Sequence, residues 1–321
     1  MTPANLRCSV SLVLSHFFLI NSQKDTMQIL TYFSLVFTMM LWGGTFIAGR
    51  LLAGNVEPAS AAFLRFFIAS IGMIILVLTS EKKLPPPPRK LWLPLILLGV
   101  TGVFLYNIFF FNGLHSVSAG RASMIIACTP LVITFFAATF LGERLTLLQF
   151  FGIILSLTGA ILVISNGHPT LLFAGKFGTG EAAMLGCVFS WAAYSIIGRS
   201  VLNSMSPMTS VCYSAIIGTI LLAFPAAQEH LFSRLGSLQI LDWTSLAYLG
   251  IFGTAIGFSL YYRGIQKIGA TRAGIFINLV PVFSLLLSWL ILGETITAIV
   301  LTGGLLILTG VSITNYKPRK Q

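Results

Sequence analysis

Apolar residues in this chain come in long unbroken runs, unlike the short alternations of a half-buried strand or the one-sided stripes of a soluble helix. Ten such runs lie near residues 28–48, 59–79, 92–112, 121–141, 147–164, 181–200, 208–225, 243–263, 271–292 and 297–315. Runs of roughly 17 to 25 residues have the length a helix needs to cross about 30 Å of hydrocarbon. No segment alternates apolar and polar residues over about ten positions, as the strands of a membrane barrel would. The pattern therefore predicts an all-α polytopic membrane protein with ten transmembrane helices. One further apolar stretch, Cys8 to Ile20, is too short to span and is cut off from the first run by Asn21-Ser-Gln-Lys-Asp25. Residues 1–27 read as an N-terminal extension, with a start at Met27 preferred over a signal-like or interfacial segment.

Composition agrees with that pattern. Hydrophobic residues make up 56% and charged residues 8% of the 321, and the mean hydropathy is +0.93. A soluble domain carries about 25% charged residues, so this chain cannot cover itself with a hydrated surface. The net charge of +11 sits in short groups between apolar runs and forms no separate basic domain, which argues against nucleic acid as a partner. Its distribution is topological. With a cytoplasmic N-terminus, the inside segments hold Lys82, Lys83, Arg89, Lys90, Arg144, Arg199, Arg263, Lys267, Arg272 and the tail residues Lys317, Arg319 and Lys320, as well as Arg7 and Lys24; outside lie Arg50, Arg121, Lys176 and Arg234. The positive-inside bias then places both termini in the cytoplasm. The inside segment Glu81-Lys-Lys-Leu-Pro-Pro-Pro-Pro-Arg-Lys90 reads as a stiff linker with cationic flanks that anchor helices at an anionic leaflet. Cys8, Cys128, Cys187 and Cys212 form no C-x-x-C pair, and three of them lie within apolar runs, so neither a disulfide nor a metal is implied.

The chain repeats itself. Gly113, Arg121, Pro130, Gly142, Glu143, Thr146, Gly152 and Gly159 recur as Gly264, Arg272, Pro281, Gly293, Glu294, Thr297, Gly303 and Gly310, at a constant shift of 151. Earlier in each half, Trp42, Gly49, Arg50 and Pro58 recur as Trp191, Gly198, Arg199 and Pro207, at a shift of 149. Matches among Gly, Pro, Arg, Glu and Thr stand out against a background of Leu, Ile, Val, Phe and Ala. Five spans per unit is an odd number, so the second unit enters the membrane from the opposite side, giving two inverted five-helix repeats. Transporters of that design hold substrate near the midplane where the halves meet, and rock one bundle against the other.

Leu141-Gly-Glu-Arg-Leu-Thr146 and Leu292-Gly-Glu-Thr-Ile-Thr297, each after a proline-bearing span and before a glycine-rich one, resemble the EamA repeat of the drug/metabolite transporter superfamily. The resemblance covers residues 28–164 and 181–315, leaving 316–321 as a cytoplasmic tail. It implies an exporter of amino acids, nucleosides, toxic cations or other small metabolites in the inner (cytoplasmic) membrane of a bacterial cell. It also implies a central cavity built by the first, third, fourth, sixth, eighth and ninth helices.

Several residues are candidates for the work. Arg65 is the one basic residue deep inside a span by these boundaries, about two turns into the second; the others lie within a residue or two of a span end. An intramembrane charge costs roughly 2.5 to 3.5 kcal/mol on insertion scales, so it must snorkel, find a partner or line water. A structural anchor and a role in the transport cycle both fit. Asn107 and Asn278 are amides inside spans and must meet a partner, either a polar substrate or a neighbouring helix. Trp42, Trp191, Tyr106 and Tyr194 offer flat faces to an apolar or cationic solute and, with the two asparagines, form the expected cavity lining. Tyr261 and Tyr262, near a span end, read as interfacial belt residues. Pro130 and Pro281 each remove a helical hydrogen bond in the middle of a span and are the hinge candidates. Glu143 and Glu294, beside glycines at helix ends, read as turn residues, and Thr146-Leu-Leu-Gln149 as a capping box. The Gly253/Gly257, Gly152/Gly159 and Gly303/Gly310 pairs read as close-packing sites.

These features predict a secondary transporter that moves small metabolites, such as amino acids or related solutes, by alternating access. The alternatives are a multidrug or cationic-compound exporter, and a non-transporting scaffold or channel. No cluster of His, Asp, Glu or Ser–Lys groups suggests an enzyme, and no cofactor is expected. No G-x-x-x-x-G-K-[ST] loop is present to use ATP. The expected partners are a small-molecule substrate and the lipid bilayer, with a homodimer left open.

Overall fold

A computed structural model describes residues 29–141, 146–168, 178–202, 204–268, 273–274 and 276–314. The described residues are helical, with no strand among them. We number the helices α1 (Ile29–Leu52), α2 (Pro58–Glu81), α3 (Arg89–Ser116), α4 (119–141), α5 (Leu147–Ile164), α6 (Thr179–Leu202), α7 (Pro207–Gln228), α8 (Ile240–Ile268), α9 (Ile277–Leu292) and α10 (Ala298–Thr314). Eight of them, α1 to α8, are long and apolar enough to cross a membrane; α9 and α10 are shorter apolar helices. The N-terminal extension, the C-terminal tail, Glu143 and Arg272 lie outside the described residues, as does the side chain of Arg199.

Large apolar side chains cover the perimeter, among them Phe33, Phe150, Phe151, Phe224, Trp289 and Leu305, all of them exposed. In water such a surface would be prohibitive; against lipid chains it carries no penalty. Association of the helices therefore rests on close packing and polar contacts. The α5–α10 pair shows this directly. A Cβ on Gly159 would lie 2.5 Å from the carbonyl oxygen of Gly303, and one on Gly310 would lie 2.5 Å from that of Gly152. The two backbones touch, in the antiparallel sense, where the sequence places its small residues.

Three other pairs run antiparallel. Trp42 and Leu35 of α1 meet Gly257 and Gly264 of α8, and Gly102 and Gly113 of α3 meet Tyr194 and Met184 of α6. In the third pair, α2 and α7 cap each other's N-termini. The Glu229 carboxylate accepts from the Ala59 and Ser60 amides at 3.0 and 2.6 Å and from the Ser60 hydroxyl at 2.7 Å. Glu81 in turn accepts from the hydroxyls of Ser206 and Thr209 at 2.5 and 2.8 Å. First-turn donors have no intrahelical acceptor, and an anion placed there also meets the positive end of the helix dipole.

Two contacts join positions matched between the halves. The Ser70 and Thr219 hydroxyls are 3.0 Å apart at a sequence separation of 149. The Ser156 hydroxyl donates to the Ile307 carbonyl at 3.2 Å, at a separation of 151. These are the two shifts found in the sequence.

Three departures from regular α-helix were not expected from the sequence pattern. Gly99–Leu105 of α3 and Tyr248–Ile256 of α8 are π-helical. They overlap at the 151-residue shift, with Gly99 and Gly102 answering to Gly250 and Gly253. A π-bulge inserts one residue into the helical register and turns the side chains beyond it onto a new face. Also, α4 is broken: one helical segment ends at Ile126 and the next begins at Thr129. Pro130 therefore does not interrupt a continuous helix as the sequence reading assumed. It stands in the first turn of a new segment, where a missing N–H costs least. Pro281 does the same at the start of Val280–Leu292, after a tighter turn over Ile277–Leu279.

Candidate functional site

The two broken or tightened helices, the two π-helical segments and the α2–α7 pair converge on one cavity of about 410 Å³. All nine residues singled out from the sequence line it: Trp42, Arg65, Tyr106, Asn107, Pro130, Trp191, Tyr194, Asn278 and Pro281. They come from α1, α2, α3, α4, α6 and α9. Phe66 of α2 and Val211, Ser214 and Ala215 of α7 also line it, so the second and seventh helices join the six that the family resemblance implied.

Two aromatic clusters form parts of the wall. In the first the Trp42 ring lies 5.1 Å from Tyr261 and 5.5 Å from Phe258. Its indole N–H donates to the Gly253 carbonyl at 3.0 Å, within the π-helical segment of α8. A Cβ on Gly257 would lie 2.6 Å from the indole nitrogen, so Gly257 makes room for this ring, while a Cβ on Gly253 would meet Thr45 at 2.7 Å. In the second Trp191 stacks on Tyr194 at 5.1 Å and tilts against Tyr106 at 5.3 Å. A Cβ on Gly102, in the π-helical segment of α3, would overlap the Tyr194 ring. Each half thus lays an aromatic ring, Trp42 from the first and Tyr194 from the second, against a glycine-bearing π-helical stretch of the other.

Tyr261 and Tyr262 line this cavity and are not belt residues at the perimeter. The belt reading used distance from the span end alone. The α8 helix runs to Ile268, further than the predicted 263, which draws both tyrosines inward. Sequence reasoning also missed the hydroxyls of Ser123, Thr129, Ser195, Ser214 and Thr254, which line the same space. One signal was available for Ser214, which is the counterpart of Arg65 at the 149-residue shift.

Arg65 carries the one formal charge among the described lining residues. It is 9% exposed, and Nη1 donates to the Asn107 side-chain carbonyl at 2.9 Å. Asn107 is fixed in turn, its amide donating to the Val103 carbonyl at 2.7 Å. The guanidinium carbon lies 5.2 Å from the Phe66 ring and 5.8 Å from the Phe110 ring, within range of cation–π attraction. Its Nε is buried without a hydrogen-bond partner. Asn278 differs: it lies at the cavity edge, and its amide donates to the Ser312 hydroxyl of α10 at 3.4 Å. That contact ties two helices together.

Near the Pro130 break the freed carbonyl is already occupied. Proline cannot donate to Ile126, and the Thr129 hydroxyl does so instead, at 2.6 Å. In the second half the Val280 amide takes the equivalent place on Ile277.

Ion pairs and caps join the elements on the side where α4 begins. The Glu294 carboxylate accepts from the Ala119 and Gly120 amides at 2.9 and 3.2 Å, so it caps α4 of the other half instead of serving its own turn. Arg121 forms an ion pair with Glu181 at 2.9 Å and donates to the Val163 carbonyl at 2.9 Å and to that of Ile164. Thr146 and Gln149 form the expected capping box at the start of α5.

A multi-pass helical bundle in which both halves of a duplicated chain wall one solute-sized cavity is the arrangement of a membrane transporter. The EamA-like transporter family model matches twice, at residues 29–165 and 178–316, and the chain belongs to that family. Among relatives, the uncharacterized transporter YyaM of Bacillus subtilis (strain 168) is 28% identical over 280 residues, 87% of this chain and 92% of its own length. The protein named probable terminal-alkyne amino-acid exporter of Streptantibioticus cattleyicolor is 28% identical over 287 residues, covering 88% of this chain and 93% of its own. One solved crystal structure matches with a TM-score of 0.59 at 21% identity, covering 88% of this chain and 96% of that one. At that identity the likeness speaks to fold alone.

Proposed function

We propose that this protein is a secondary transporter that exports small metabolites, amino acids or related solutes among them, across the cytoplasmic membrane by alternating access. The observation that carries the reading is a cavity lined from both halves, with the broken α4 and the tightened start of α9 in its wall. Discontinuous helices at a repeat interface supply both a polar binding surface and a place to bend. The shorter α9 and α10 count as spans in this reading, giving ten in two inverted five-helix units with both termini cytoplasmic. At about 1.5 Å per residue the 17 residues of α10 extend about 25 Å, enough for a thin or locally adapted bilayer. The matched contacts Ser70–Thr219 and Ser156–Ile307 support a pseudo-twofold relation, because residues exchanged by a twofold axis touch only where the axis passes between them. The amino-acid part of the proposal leans on the name of the Streptantibioticus relative.

Counterflow in proteoliposomes is the test. Vesicles loaded with millimolar unlabelled amino acids, one chemical class at a time, should accumulate external labelled solute transiently for at least one class. Uptake no greater than in protein-free vesicles across amino acids, nucleosides and organic cations would rule out a carrier for these solutes.

A further inference from the structure

The charge balance of the cavity goes beyond naming a transporter. We propose that the cavity is a carboxylate site: Arg65 receives the anionic end of a small organic acid or amino acid, the aromatic clusters receive its apolar body, and cations lacking a carboxylate are rejected. The inference rests on the transport reading for its biological sense, but the binding site can be tested without it.

Arg65 presents five N–H donors, and Asn107 is its one described hydrogen-bond partner. Neither described ion pair includes it. A guanidinium 9% exposed, with a buried and unpartnered Nε, is an incomplete arrangement. Buried charges are retained when paired or when they serve a ligand, and no carboxylate is present among the described lining residues to supply the pair. Asn107 holds the fork in place through its own bond to Val103, leaving the remaining donors for a planar bidentate acceptor.

Other polar features of the wall do not oppose this sign. A break in a helix such as that between Ile126 and Thr129 presents a negative end and a positive end together, so α4 contributes no net preference. The carbonyl of Ile126 already accepts from the Thr129 hydroxyl, which takes one of its two lone pairs. The aromatic faces attract cations when nothing else is present. Here they lie in the same low-dielectric space as an uncompensated guanidinium, and like-charge repulsion acts over a longer range than the quadrupole. For an amino acid the two effects cooperate: the carboxylate neutralises Arg65, and the ammonium can then face Trp42 or Trp191.

The test uses three probes with a common phenethyl body, 3-phenylpropanoate, its near-isostere 3-phenylpropanamide, and phenethylammonium, titrated into the purified full-length protein in detergent by calorimetry. The wild type should bind the carboxylate about tenfold to a hundredfold more tightly than the amide, the range expected of charge-assisted hydrogen bonds, and the ammonium most weakly. Arg65→Gln should bring carboxylate and amide together, and Arg65→Lys should keep part of the difference. Amide or ammonium binding as tight as the carboxylate by the wild type overturns the proposal, and so does the absence of any binding up to millimolar probe. That comparison needs no variant, so a misfolded Arg65→Gln leaves it intact. Carboxylate-selective binding with no counterflow would remove the transport reading and keep this site. Counterflow of cations alone would do the reverse.

Discussion

Removing the Glu294 side chain should loosen one end of the bundle in a way that can be counted. In the present state its carboxylate bridges from the α9–α10 connection to the first two amides of α4, at 2.9 and 3.2 Å. Beneath it, Gly120 packs so tightly on α9 that an added Cβ would lie 2.7 Å from Leu285 and 3.1 Å from the Ser288 hydroxyl, and Ser288 is buried. Glu294→Ala leaves two first-turn amides without an acceptor and removes an anion from a positive helix end. Losses of this kind cost about 0.5 to 2 kcal/mol for a cap, with about 0.3 to 1 kcal/mol more from the dipole. We take about 2 kcal/mol, because Glu294 is only half-buried. If the α4–α9 contact opens and closes as a two-state element, its open population rises about 30-fold. A cysteine placed at Ser288 should then be modified by a small maleimide about 30-fold faster in the Glu294→Ala background, with Glu294→Gln between the two. In a Cys8→Ser background the remaining native cysteines, Cys128, Cys187 and Cys212, are buried and serve as the internal baseline. An unchanged labelling rate in Glu294→Ala, with Ser288→Cys itself reactive after unfolding, would refute the idea that this cap holds the face closed.

Three other outcomes follow from the geometry. Gly159→Leu must drive α5 and α10 apart, because the added atoms meet the Gly303 backbone and not a yielding side chain; overpacking costs about 1 to 3 kcal/mol or more and should lower the unfolding temperature in detergent, whereas Gly54→Ala, with open space around it, should not. Glu229→Ala removes three acceptor contacts from the start of α2 and should cost about 2 kcal/mol in the same assay, with Glu229→Gln costing less. Pro130→Ala supplies a donor for the Ile126 carbonyl and allows α4 to close its break; we expect unchanged or higher thermal stability with slower counterflow, and an unaltered transport rate would remove Pro130 from the hinge role.

Much of the fold was legible because a membrane leaves few choices: backbone groups in hydrocarbon must be satisfied within a helix, so long apolar runs become helices. The duplication was legible because Gly, Pro, Trp and Arg seldom recur by accident in an apolar background. Gathering Trp42, Trp191, Tyr106, Tyr194, Arg65 and Asn107 into one cavity wall was within reach for the same reason, since polar and flat residues in spans seek the interior. The π-helical stretches were not legible. They lie where an aromatic ring from the other half meets the backbone, Tyr194 against Gly102 and Trp42 on the Gly253 carbonyl, a tertiary arrangement with no local periodicity of its own. Tyr261 and Tyr262 were misplaced because a span boundary set from hydropathy alone stops short of where α8 ends.

The most informative difference between the halves is at a position where the repeat predicts likeness. The 149-residue shift pairs Arg65 with Ser214, and both line the cavity, yet one carries a full charge and the other a hydroxyl that donates to its own helix at Val211. Asn107, which steadies Arg65, corresponds to Phe258 at the 151-residue shift, and Phe258 leans on Trp42 instead. A symmetric scaffold can rock between two states of similar energy, but a symmetric cavity would grip both ends of a solute alike. Placing the charge and its supporting amide in one half makes the cavity asymmetric in charge between the halves. On the carboxylate-site proposal, a solute with a carboxylate at one end of an apolar body has one preferred orientation, set by Arg65 in the first half.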